Sequence, residues 1–275
     1  MRFDVVMPTM NSASRVSERF FRQVLSAIFT EIPVNRLIVV DDDSRDSTLE
    51  ILKEFEDVKI VNGLGSLGKA REIGIKNVET PWFYFIDDDN VIPRKFHERM
   101  LKHVNDKVGM VHAIPFNPSQ TWYAKHEMIL SRMYSYFGRV EGATRRGYTG
   151  ATLIRLEAVR DMTVPPVSRM EDYRIKKCLE ENGWEVKTAL DVSVVHYSKI
   201  SDKAHYFDGY YMCEFGFVSL PRMILAWLFN YPKSLLTTMI SRDLGIAKNI
   251  PKIFYLRLRG YVDAYKSGKS KQKAL

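Results

Sequence analysis

The sequence predicts an α/β fold, a mostly parallel sheet flanked by helices over residues 1–200, followed by a helical, amphipathic appendage at 201–275. Three observations predict it. Apolar runs of strand length alternate with amphipathic stretches of helix length from the first residues onward. That βαβ rhythm implies parallel strands joined by right-handed crossovers. Two of the apolar runs, 37–40 and 82–86, end in aspartate triplets, which puts carboxylates at strand C-termini, where open α/β sheets form their ligand crevice. Finally, the charge is uneven. Residues 201–275 carry twelve Lys and Arg against five Asp and Glu, while the rest holds 29 against 28.

In order, 3–7 reads as a strand and 14–29 as a helix, with Val16, Phe20, Val24 and Ile28 on one stripe. A strand at 37–40, a helix at 47–55, a strand at 58–61 and a helix at 65–77 follow. The run 82–86 is apolar at five consecutive positions, as in a strand buried on both faces. Together these make a Rossmann-like, nucleotide-binding half. Beyond residue 90 the pattern predicts a helix at 93–103, a strand at 109–114, a helix at 122–137, a strand at 148–154, a helix at 169–182 and one or two strands over 185–195. The terminal Lys/Ser/Gly stretch reads as frayed.

With 275 residues, 45% hydrophobic and 27% charged, the chain is long enough for one large core and is not of disordered composition. The near-neutral body carries no basic footprint for nucleic acid. Cys178 and Cys213 have neither zinc spacing nor a disulfide framework and read as buried thiols in a reducing compartment. The first residues lead straight into a strand and no apolar run reaches the roughly 20 residues needed to cross a bilayer. The expected location is therefore cytoplasmic.

Six constellations carry chemistry. Asp87, Asp88 and Asp89 repel one another unless a cation sits among them, so they read as a divalent-ion site or as a solvated turn. In MPTMNS (7–12), Pro8, Thr9, Asn11 and Ser12 precede a helix, placing free backbone N–H groups where a nucleotide or a plain cap would use them. Asp41 and Asp42 stand at a strand edge, able to accept from a base or ribose, while Asp46 and Ser47 read as caps. Residues 63–77 are glycine-rich without P-loop order. Their Lys69 and Arg71 suit a diphosphate or a solvated helix face. Glu171 and Asp172 begin a helix, favourable to its dipole whatever their role and also suited to a general base. His196 closes an apolar strand and gains meaning only if the fold sets it beside Asp89.

Taken together, PTMN, VVDDDSRDST, GKAREIGIKN, YFIDDDN, the TGA at 149–151, the ED at 171–172 and His196 resemble the family 2 glycosyltransferases with the GT-A fold, of the dolichyl-phosphate-sugar-synthase-like superfamily, over roughly residues 1–200. The resemblance implies a nucleotide-binding half at 1–90 and an acceptor-side half at 91–200. It also implies a metal-dependent, inverting transfer from a nucleoside-diphosphate-sugar. Asp41 would hold the base, with Pro8, Thr9 and Asn11 beside it. Lys69 and Arg71 would lie near the diphosphate and Asp87 would serve the ribose. Asp89 and His196 would ligate Mg²⁺ or Mn²⁺. Asp172 would be the catalytic base, with Gly150 and Glu171 on the acceptor side. Asp88, between the two working aspartates, would point elsewhere and be dispensable. Where the family often has glycine after the first acidic pair, this chain has Asp43.

The tail is rich in aromatics over 206–231. A helix over 252–266 would set Phe254, Leu258, Tyr261 and Tyr265 opposite Lys252, Arg259 and Lys266. Such a helix lies on an anionic membrane surface or packs on the body with its basic face in water. The first option implies peripheral attachment at a cytoplasmic membrane face and a lipid-linked acceptor, a polyprenyl phosphate or lipid-linked saccharide. The alternatives are a soluble transferase acting on a saccharide or protein, and a non-catalytic nucleotide-sugar-binding protein, which would need no base.

Overall fold

The apolar runs close into strands as expected, but the helices between them begin and end where caps and turn residues dictate. The computed structural model describes residues 1–118, 121–136, 143–197 and 201–273. In chain order the elements are β1 (Phe3–Thr9), α1 (Ser12–Val16), α2 (Glu18–Glu31), β2 (Val34–Asp41), α3 (Thr48–Leu52), β3 (Val58–Asn62), α4 (Leu67–Asn77), β4 (Trp82–Ile86), β5 (Asn90–Val91), α5 (Phe96–Leu101) and β6 (Val108–Phe116). There follow α6 (Trp122–Tyr136), α7 (Ala143–Arg146), β7 (Ala151–Arg155), α8 (Leu156–Val159), α9 (Glu171–Glu181), β8 (Glu185–His196), α10 (Asp202–Glu214), α11 (Leu220–Ser241) and α12 (Leu244–Lys273). The chain divides into two compact units, Met1–Asn117 with Gly142–Ser198, and Pro118–Glu141 with Lys199–Leu275. Helix α6 thus packs with α11 and α12, where the sequence grouped it with the body.

In the first unit the strands run in the order β3-β2-β1-β4-β7-β6-β8-β5. Strands β1 to β4 pair in parallel, β7 is antiparallel to both its neighbours, β6 and β8 are parallel, and β5 is antiparallel to β8. The order reverses at β1, which has β2 on one side and β4 on the other, so the C-terminal ends of these three strands flank a crevice. Both faces are covered. Val5 and Met7 of β1 pack with Phe21, Val24, Leu25 and Ile28 of α2, while Val6 packs with Ala70 and Ile75 of α4 and Ile175 and Leu179 of α9. Each such side chain contributes about 2 kcal/mol on burial. The helix expected over 14–29 is two helices because Ser17 adopts φ +84° and caps α2 by accepting from Phe20 N.

In the second unit α10 and α12 cross at glycines. A Cβ on Gly209 would lie 1.8 Å from Arg257 O, and one on Gly260 would lie 2.0 Å from Tyr206 O. Tyr261 is buried and donates to Val218 O at 2.8 Å, while Phe254 packs against Ile246, Ile250 and Ile253. Much of the apolar stripe expected to face a membrane is therefore spent inside the unit. Helix α12 also continues to Lys273 through the stretch expected to fray. Cys178 and Cys213 are free and half-buried, more open than expected. Among the described residues no helix is long and apolar enough to cross a membrane.

His112 on β6 is fully buried, with Nδ1 facing Ala113 O at 3.2 Å and Nε2 facing Thr188 Oγ1 at 3.0 Å. Burial pulls its pKa down to about 4. The unfolded chain therefore binds the extra proton below about pH 6.5, and stability is lost as pH falls from there toward 4, by up to about 3 kcal/mol. Urea midpoints across that range should fall less steeply in His112→Gln than in the parent chain.

Candidate active site

Three strand ends build the crevice. At the end of β1, Thr9 Oγ1 donates to Asp41 Oδ1 at 2.9 Å, and Ser44 donates through N to Oδ2 at 2.9 Å and through Oγ to Oδ1 at 2.5 Å. Asn11 N donates to Ser44 Oγ, and Asn11 Oδ1 accepts from Arg45 N, both at 2.8 Å. Asp41 and Asn11 thus fasten the β1 and β2 loops to each other. Pro8, one residue earlier, sits half-buried and pairs with Val40. The carboxylate left more open is Asp42, which accepts from Gly65 N at 2.9 Å. Asp43 adopts φ +57°, the left-handed region that favours glycine and that aspartate tolerates best among charged residues. That accounts for both the family's glycine and its replacement here. Asp46 accepts from Ser14 N and Thr48 N, capping as expected. Ser47 makes no side-chain cap.

Helix α4 sends Lys69 and Arg71 apart. Lys69 pairs with Glu72 at 2.9 Å, and Lys76 holds the other Glu72 oxygen at 2.7 Å. Two residues on, close to 200° around the helix, Arg71 is fully buried. Its Nη2 donates to Asp87 Oδ1, its guanidinium lies 4.6 Å from the Phe85 ring centroid, and its Nε and Nη1 have no hydrogen-bond partner among the described residues. The pair expected to share a diphosphate is therefore split. Arg71 serves by holding Asp87, and Lys69 is engaged on a different face.

At the end of β4 all three aspartates are in use. Asp87 N donates to Gly150 O at 2.9 Å. A Cβ on Gly150 would stand 2.5 Å from Tyr148 Oη and 2.8 Å from Asp87 Oδ2, so a larger residue here would displace those two side chains. Asp88 is not the idle member: it is buried and accepts from Ser12 Oγ and Arg15 Nη2. Burial pushes it up to about 6 against the pull of Arg15. Asp88→Ala removes the anchor of α1 and should cost about 2 kcal/mol, read as a lower urea midpoint. A shift below about 0.5 kcal/mol would restore the expectation that Asp88 is dispensable.

Asp89 meets His196 because β5 pairs with the end of β8, Asn90 opposite His196. His196 Nε2 lies 3.4 Å from Asp89 Oδ1, Asn90 Nδ2 donates to that same oxygen at 3.1 Å, and Arg15 Nη1 reaches Oδ2 at 3.2 Å. Burial alone would depress His196, but the hydrogen bond and charge of Asp89 outweigh it and its pKa rises. Burial likewise raises Asp89, and His196 and Arg15 together bring it below the usual range. Tyr148 closes the cluster, donating to Asn90 Oδ1 and lying 5.8 Å, ring to ring, from His196. Sequence patterns did not single out Arg15, Asn90 or Tyr148. The spacing of Ser12 and Arg15, one helical turn apart, is the signal that links Arg15 to the triplet.

Glu171 and Asp172, both buried at the start of α9, differ sharply. Arg146 Nε lies 2.8 Å from each oxygen of Asp172. Glu171 Oε2 is buried with no hydrogen-bond partner among the described residues. Burial and the neighbouring Asp172 charge push Glu171 up to about 7, the range of a group that can take a proton near neutrality.

A family model described as glycosyl transferase family 2 matches residues 4–162. Poly(ribitol-phosphate) β-N-acetylglucosaminyltransferase TarS of Staphylococcus aureus strain MW2 is 29% identical over 107 residues, 34% of this chain and 17% of that protein. Glycosyltransferase GlyA of Streptococcus pneumoniae serotype 4 is 26% identical over 134 residues, 46% of this chain and 18% of that protein. The chain thus matches less than a fifth of the length of these curated relatives. Among solved structures, glucosyl-3-phosphoglycerate synthase of Mycobacterium tuberculosis, in complex with Mn²⁺, UDP and phosphoglyceric acid, superposes with a TM-score of 0.55 at 16% identity, covering 77% of this chain and 76% of that one. S. aureus TarS superposes with a TM-score of 0.54 at 18% identity, covering 78% and 39%. These likenesses identify the fold as GT-A. With a match spanning more than half its length, the chain belongs to glycosyl transferase family 2.

Proposed function

We propose that the chain moves a sugar from a nucleoside-diphosphate-sugar to a hydroxyl of a lipid-linked saccharide, by single displacement with inversion, in the presence of Mg²⁺ or Mn²⁺. The observation that carries this is the meeting of Asp89 and His196 at the end of β4, with Asp87 beside them. Their 3.4 Å separation suits two donors each about 2.1 Å from one ion. Among the described residues no group of three or more His, Cys, Asp or Glu forms a metal cage. Asp89 and His196 would supply two ligands, the remaining positions falling to substrate phosphates and water. The similarly folded glucosyl-3-phosphoglycerate synthase has been solved with Mn²⁺ or Mg²⁺ and UDP, which supports a metal-dependent use of nucleotide. Held by Asp89 and His196, the ion supplies positive charge to the departing diphosphate.

The chain's own residues do the rest. Pro8, Thr9, Asn11 and Asp41 shape the base pocket, with Asp42 offering the freer carboxylate. Asp87, oriented by Arg71, accepts from the ribose. Gly150 and Glu171 lie on the acceptor side, and Asp172, at the family's base position, takes the acceptor proton once Arg146 releases it. The unpartnered oxygen and raised pKa of Glu171 favour a second assignment, in which Glu171 is the base and Asp172 with Arg146 holds it in place. Two buried carboxylates suit a hydroxyl acceptor, since an ionised phosphate needs no base. Hydrolysis of a panel of nucleotide-sugars with and without Mn²⁺ tests the donor side. Turnover of at least one only with metal is expected, and none with any donor would refute it.

A further inference from the structure

Helix α11 is amphipathic the wrong way round. Its buried positions are Met223, Asn230, Ser234 and Thr237, three of the four polar. His126 Nδ1 meets Thr237 Oγ1 at 2.8 Å on that inner face. The opposite face carries Leu225, Leu228, Phe229, Leu235, Met239 and Ile240, each between 49% and 76% exposed. A helix whose polar side faces protein and whose apolar side faces outward suits an apolar medium, not water. At 22 residues it is about 33 Å long, so the exposed stripe is far larger than scattered surface leucines would make.

We infer that the outward face of α11 seats in the interfacial layer of an anionic bilayer, lying along it. Charge selects that occupant over a second copy of the chain. The only ionic residues on α11 are Arg222 and Lys233, there is no Asp or Glu, and residues 201–275 hold a surplus of seven positive charges. Phosphate headgroups complement such a rim, whereas a second copy would bring like charge to like. No described helix qualifies to cross, which leaves the in-plane arrangement. The inference moves membrane contact from the α12 stripe, partly buried in packing, to α11. It deepens the lipid-linked-acceptor proposal and rests on it for its purpose alone.

Cosedimentation of the full chain with phosphatidylcholine vesicles, with and without phosphatidylglycerol, tests it in the absence of donor and acceptor. The parent chain should bind the anionic vesicles. Phe229→Glu with Leu235→Glu should bind at least about tenfold more weakly while keeping its metal-dependent nucleotide binding. Leu228→Ser with Met239→Ser, a milder pair, should fall between. Equal vesicle binding by all three chains overturns the inference. So does light scattering that finds a dimer of the parent chain which the glutamate variant abolishes. Intact vesicle binding without turnover of lipid-linked acceptors would instead defeat the acceptor proposal and leave this one standing.

Discussion

Asp89→Asn is expected to lower kcat/KM by about a thousandfold or more, equivalent to about 4 kcal/mol of transition-state stabilisation. Asp89 accepts from Arg15 and Asn90 and faces His196, so the substitution removes the charge at the centre of the cluster while nearly preserving its shape. The loss should be accompanied by lost metal dependence, with residual turnover equal in EDTA and in Mn²⁺. Arg15 sharpens this expectation. Its guanidinium spans Asp88 and Asp89 from a 41% exposed side chain, and it competes with any added cation for Asp89. Arg15→Gln should therefore bind Mn²⁺ more tightly, by about tenfold for about 1.4 kcal/mol of removed competition, read by electron paramagnetic resonance. Unchanged or weaker Mn²⁺ binding would mean that Arg15 is only a brace for α1.

Asp172→Asn should reduce kcat by about 10² to 10⁴, the usual contribution of a positioned general base, with little change in KM for the donor. The same change with a polyprenyl phosphate acceptor, already ionised near pH 7, would cost less than about tenfold. The size of the effect therefore distinguishes a hydroxyl from a phosphate acceptor. Glu171→Gln is the paired measurement. If it alone produces the large loss and removes the acidic limb of the pH–rate profile near 7, where Glu171 is placed, the two carboxylates exchange roles. Removing Arg146 separates the cases further, because its Nε lies 2.8 Å from both oxygens of Asp172.

Much of this was legible before any coordinates. The five apolar residues of β4 and the paired aspartate triplets fixed the strand ends, because a strand buried on both faces has few other ways to be written. His196 gains meaning only beside Asp89, a condition met through the short β5–β8 ladder. Side-chain direction was the weak point. Lys69 and Arg71 are two residues apart and looked equivalent, yet on a helix they diverge, and only Arg71 reaches Asp87. Asp88 looked idle because alternation along an extended chain would turn it away, but the chain turns after Ile86, and Ser12 and Arg15 come down on it. Helix α11 is apolar at every position over 223–229. Its inverted burial emerges only when the polar residues further along, Asn230, Ser234 and Thr237, are seen facing inward.

Binding of nucleoside diphosphates to the full chain, measured by thermal shift with Mn²⁺ or with EDTA, tests the central claim most directly. At a hundredfold excess over Kd, a bound nucleotide adds about 2.7 kcal/mol, or roughly 5–10 °C for a chain of this size. At least one nucleoside diphosphate should give that shift with Mn²⁺, give little without it, and give none in His196→Ala. A shift of the same size in EDTA, or in His196→Ala, would contradict the assignment of Asp89 and His196 as the pair that holds the ion.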